Sequence, residues 1–190
     1  LPAREIPFTE TITLSNLRLT VPHGGDLDIY GSVIVYLYDK RNNLLVKNYV
    51  NKAGLMDVSE NNSIDMDKKR VVDFPLTVVL KIPSDQLDEA RIVINYGLYE
   101  NDADAGGSTF RNADLISRPD EKYEGGGSDD FFKLKSSFEN CSKGDIDREG
   151  FRFVIYVENL PPRCVVHTNL QDEDGSDNYI DTYFIITRER

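Results

Sequence analysis

Tryptophan is absent from the 190 residues, and methionine, cysteine and histidine occur only twice each. Without tryptophan there is no Trp-anchored membrane loop, and the ring most often used as a platform for sugar is missing. The scarcity of histidine narrows the chemistry. His23 lies in a VPHGGD turn and His167 follows a strand-like run, and neither is accompanied by a GxSxG, HExxH or CxxC motif. Both read as ordinary residues, a solvated turn and a half-buried strand position. Apolar runs long enough for a membrane-crossing helix are also lacking. Positive charge is outnumbered, 22 Lys and Arg against 33 Asp and Glu, for a net charge of -11. That balance argues against nucleic acid, whose phosphates require clustered Lys and Arg. It argues equally against electrostatic attachment to anionic lipid, unless a bound cation reverses the sign locally.

Helical periodicity is the last scarcity. Only SDQLDEAR (Ser84 to Arg91) has a cap-like Ser followed by helix-tolerant residues, enough for a turn or two. The remainder alternates with period two. ETITLSNLRLTV places Ile12 and Leu14 on one face and Leu17, Leu19 and Val21 on the other, which predicts a bulge or bend near Ser15-Asn16. IYGSVIVYLYD is apolar or aromatic on both faces, as a strand between two covered surfaces would be. LLVKNYV, RVVDFPLTVVLKI, RIVINYGLY, FRFVIYVEN and YIDTYFIIT complete the clear strands, with CVVHT and FFKLK weaker, and Pro75 marks an edge or a bend.

With 39% apolar residues and ten Tyr and nine Phe, the chain can bury a sizeable core. Eight or nine strands joined by turn-rich loops predict an all-β fold, an antiparallel β-sandwich in one domain spanning 1–190; a closed barrel is the alternative. SRPDEKYEGGGSDD (117–130) reads as a long mobile loop. Cys141 and Cys164 flank FRFVIYVEN, and a disulfide and two buried thiols both fit that placement. The start at Leu1 without Met fits a processed or excised piece, and a longer parent chain is one expectation.

The acidic residues concentrate at predicted strand ends. HGGDLDIYG carries Asp26 and Asp28, ENDADAGG carries Asp102 and Asp104 in DxD spacing, GGGSDDFF carries Asp129 and Asp130, and NLQDEDGSDNYID carries Asp172, Asp174, Asp177 and Asp181. Carboxylates so close are tolerated when solvated or when they share a cation, and calcium takes six to eight oxygen ligands. The segment from Asp172 opens like an EF-hand loop. It has Asp177 where the invariant glycine belongs and Tyr183 where the bidentate glutamate belongs, which argues against an EF-hand and leaves a looser oxygen-lined calcium loop open.

Asp28-Ile29-Tyr30-Gly31 before a strand, together with Asp102-Ala103-Asp104 after one, resembles the calcium-binding loops of C2 domains, β-sandwiches that dock on membranes through calcium. The match covers two short motifs, and it departs from the family where Ser-Asp-Pro should follow the first and where Phe110 replaces a further acid. The resemblance implies Ca2+ as cofactor. Asp28, Asp102 and Asp104 would supply oxygens, and Asp26 or Asp130 would complete the charge. The expected function is a non-enzymatic, secreted or cell-surface module attached through calcium to a membrane surface, glycan or protein partner. A purely structural interaction domain of a larger surface or fibre assembly is one alternative. A carboxylate-dependent glycoside hydrolase, which needs only Asp and Glu, is the other.

Overall fold

The computed structural model describes residues 6, 8–23, 27–41, 44–47, 54–66, 71–101, 130–139, 141, 144–146, 150–172 and 178–190. These form β1 (Thr9–His23), β2 (Leu27–Tyr38), β3 (Leu44–Lys47), β4 (Met56–Val58), β5 (Ile64–Met66), β6 (Val71–Phe74) and β7 (Val78–Pro83). The second half adds β8 (Arg91–Glu100), β9 (Asp130–Glu139), β10 (Asp145–Ile146), β11 (Arg152–Tyr156), β12 (Arg163–Asp172) and β13 (Tyr179–Glu189). Every pairing is antiparallel. The helical turn expected at Ser84 is a single 3-10 turn, Ser84–Gln86.

The fold is all-β, as alternation predicts, and its sheet is nearly closed and barrel-like. One layer runs β9-β12-β13-β1 and is edged by β6 and β7; the other runs β10-β11-β8-β2 and is edged by β3, β4 and β5. β9 joins them, because its first residues pair with β8 and the rest with β12. Among the described residues thirteen strand segments replace the expected eight or nine. The additions are pieces of two or three residues, too short to show a period, and RVVDFPLTVVLKI divides into β6 and β7 at Pro75.

That division coincides with the predicted bulge. Asn16 takes φ 58° and the β1–β13 register slips between Ser15 and Arg18. Asn is among the few side chains tolerated in that left-handed region. The slip lets Ile12 and Leu14, then Leu17, Leu19 and Val21, all reach the core fully buried. Fully burying such a side chain contributes about 1.5–3 kcal/mol.

β2 is buried on both faces, as expected of a central strand. Val33, Val35 and Leu37 join the main core, while Tyr30, Ile34, Tyr36 and Tyr38 form a second cluster with Val93 and Tyr99. Gly31 sits where β2 crowds β8: at φ +124°, a Cβ there would lie 1.8 Å from the Gly97 carbonyl oxygen. Only glycine fits that approach.

Two cross-links close the fold. Cys141 and Cys164 form a disulfide, which resolves the open thiol alternative. Arg188 on β13 donates from Nε and Nη2 to the Glu10 carboxylate on β1, at 2.6 and 3.0 Å, and from Nη1 to the carbonyls of Val157 and Leu160. The expected mobile loop at 117–130 lies outside the described residues up to 129.

Candidate functional site

The strand order decides where the acidic segments begin and end. β1 ends at His23, which is opposite Tyr179 at the start of β13; Tyr179 is also opposite Gln171 near the end of β12. Asp172, the last residue of β12, is opposite Phe132 near the start of β9, and Asp130 is opposite Glu100 at the end of β8. Glu100 in turn faces Ile29 on β2, and the Asn101 amide donates to the Asp28 carbonyl at 2.7 Å. All of these strand ends therefore lie on one rim. Chain reversal is the physical reason: an antiparallel barrel alternates starts and ends, so every second connection leaves from the same side.

Of the expected metal ligands, Asp26, Asp102 and Asp104 lie outside the described residues. Asp28 is exposed on the outer face of β2, since Leu27 and Ile29 on either side of it are buried. Asp130 opens β9 opposite Glu100, one strand beyond the β8 neighbour of Asp28. The rim thus gathers Asp28 and Asp130 through Glu100 and Asn101. Among the described residues no group of three or more His, Cys, Asp and Glu is placed to hold a metal ion.

Asp65 is the residue that sequence reasoning missed. It stands directly opposite Asp28 in the β2–β5 register, and both are exposed. Directly opposed residues bring their Cβ atoms to about 4.5–5.5 Å, where like charges destabilise the pair. The DxD spacing of Asp65 and Asp67 in SIDMD was the available signal. Its strand, Ile64-Asp65-Met66, is three residues long, too short for its alternation to mark it as part of the sheet.

The other acids divide by face. Asp172 is only 1% exposed and follows Leu170 on the core face of β12, beside the rim. A carboxylate so buried is stable as an anion only with hydrogen bonds or a counter-charge. Asp181 lies away from the rim loop on the outer face, where it accepts from Asn169 Nδ2 at 2.7 Å and lies 3.4 Å from His167 Nε2. It is a cross-strand partner in the sheet rather than a loop ligand. His167 is half-buried, as expected, and stacks on Tyr183 with centroids 4.2 Å apart. The side chain of His23 lies outside what the structure describes.

The rim supplies oxygen donors of the hard type that calcium prefers, and the Asp28–Asp65 pair is a place where a cation would relieve repulsion. Comparison with known protein families finds no model that matches the chain, and comparison with curated proteins finds no relative.

Proposed function

We propose that the chain is a non-enzymatic, C2-like binding module whose acidic rim takes up calcium and thereby attaches to a membrane, glycan or protein surface. One observation carries this reading. The segments bearing Asp26, Asp28, Asp102, Asp104 and Asp130 adjoin strand ends on the same rim, and Asn101 and Asp28 are joined there by a backbone hydrogen bond. In this mechanism Asp28 faces Asp65 across the ladder, and a shared cation removes their repulsion. The cation would also carry open coordination positions to a partner's phosphate, hydroxyl or carboxylate oxygen. On a chain of net charge -11 it is the element that makes an anionic partner approachable. The disulfide suits a secreted or cell-surface location, since such bonds persist in oxidising compartments.

Calorimetric titration of the full chain with CaCl2, and separately with MgCl2, tests the reading. Saturable calcium heats are expected in the wild type and are lost in Asp102→Asn/Asp104→Asn. Identical traces for the two proteins would overturn it.

A further inference from the structure

The bulge at Asn16 and the interruption of its partner strand at Pro75 leave a hollow on the outer face of the layer built on β1 and β13. Its volume is about 870 Å³, inside the range of small-molecule sites, ~300–1,000 Å³. Bulges recur beside binding sites because they re-aim side chains and end a pairing. Here the bulge turns Arg18 outward, opposite Asp73 on β6 and Tyr183 on β13.

The lining has two chemical parts. Val71, Pro75, Ile185 and the ring of Tyr183 supply an apolar floor with one aromatic ring, while Phe74 turns inward and packs on the core. Above it Arg18 donates to both Asp73 carboxylate oxygens, from Nε at 2.7 Å and from Nη2 at 3.2 Å. Tyr183 is held in place by its stack on His167 and by a hydrogen bond with the Thr20 side chain.

That combination selects by charge. For an anion, the guanidinium in the lining is already matched by Asp73; for a cation, the carboxylate is already matched by Arg18. A purely aliphatic ligand would strip water from both charges and return no hydrogen bond. A sugar ring meets both parts. Its C–H face lies on an aromatic floor, and each hydroxyl both donates and accepts, matching a donor and an acceptor held side by side. The Arg18 and Asp73 side chains are 53% and 62% exposed, so the guanidinium N–H groups and carboxylate lone pairs that the ion pair does not use face solvent, where hydroxyls reach them with the pair intact.

We propose that this hollow is a binding site for a neutral saccharide, with the sugar ring seated on Tyr183 and its hydroxyls shared between Arg18 and Asp73. Tyrosine takes the platform role in a chain without tryptophan. The residues are separate from Asp28 and Asp65, so this binding is independent of calcium.

The test is NMR titration of the full chain in EGTA with neutral trisaccharides of glucose, galactose, mannose and xylose. At least one is expected to give saturable shifts clustered at Arg18, Asp73 and Tyr183. Tyr183→Ala and Asp73→Ser each weaken that binding by roughly tenfold or more, and Tyr183→Phe, which keeps the ring, retains most of it. Asp73 is at the surface, so Asp73→Ser tests the site in a protein that still folds, checked by its circular dichroism melt. Three results overturn the proposal: no saturable shift for any sugar up to roughly 10 mM, shifts that cluster on another face, or binding unchanged in Asp73→Ser and Tyr183→Ala. Sedimentation showing a dimer broken by Asp73→Arg would do the same, by making a second copy of the chain the occupant.

Discussion

Asp28 and Asp65 face each other directly across the β2–β5 ladder, two exposed carboxylates in register in a protein of net charge -11. Opposed like charges cost stability unless water or a cation separates them. Replacing Asp65 by Asn is therefore expected to stabilise the calcium-free protein by about 0.2–1 kcal/mol and to weaken calcium binding. Urea unfolding in EGTA, followed by circular dichroism, reads the first effect, and calcium titration of the same variant reads the second. A variant less stable than wild type without calcium would show that the pair is not a site of repulsion.

The Arg188–Glu10 pair ties the last strand to the first. Glu10 is 2% exposed, and its carboxylate is matched in a bidentate arrangement by the Arg188 guanidinium. Removing only the cation, as in Arg188→Met, leaves a buried charge and is expected to cost about 3–5 kcal/mol. The double change Glu10→Gln/Arg188→Met recovers part of that loss, because no charge is then stranded. Denaturant unfolding of wild type, both single variants and the double variant measures the coupling.

Gly31 is held to glycine by sterics. A methyl group there would meet the Gly97 carbonyl oxygen at 1.8 Å, with the backbone at φ +124°. Gly31→Ala is expected to lower stability by at least ~3 kcal/mol, read as a large fall in the melting temperature or loss of soluble protein. A melting temperature equal to wild type would mean that β2 and β8 separate there without penalty.

Alternation made most of this fold legible. The parity change in ETITLSNLRLTV pointed to the Ser15-Asn16 neighbourhood, where the register slips, because a strand cannot move its apolar side chains to the other face without an inserted residue. CVVHT, weak on its own, became the ten-residue β12 because it lies between β9 and β13, where ladder bonds on both edges extend it. FRFVIYVEN ran the other way: β11 stops at Tyr156 and Val157–Asn159 turn into a 3-10 helix. Of the facing residues Asp28 and Asp65, DxD spacing drew attention to the first alone, and their pairing was not legible because the strand of Asp65 is too short to carry a pattern. The hollow beside Asn16 was not legible at all. Arg18, Asp73 and Tyr183 come from distant parts of the chain, and only strand pairing brings them together.

Two groups at the hollow give it a pH signature. The hydrogen bond and charge of Arg18 hold the Asp73 carboxyl below its usual range. Burial, and then the charge of Asp181, raise the Tyr183 phenol. For Asp73 the folded pKa is depressed, so its contribution is present above the ordinary carboxylate pKa and fades as pH falls through the folded value. For Tyr183 the folded pKa is raised, so its contribution is present below the ordinary phenol pKa and is lost as pH rises through the folded value. NMR titration is expected to show the Asp73 carboxyl ionising at higher pH in Arg18→Ala than in wild type. No change between the two would show that the ion pair does not form in solution.

The most direct test of the proposal that the rim binds calcium is thermal unfolding of the full chain in EGTA, in calcium and in magnesium, followed by circular dichroism. Calcium at about 100 times its dissociation constant stabilises by about 2.7 kcal/mol, a rise of roughly 5–10 °C for a domain of this size. The account predicts that rise with calcium, none with magnesium, and none in Asp28→Asn/Asp65→Asn. Equal melting temperatures in EGTA and calcium would contradict it.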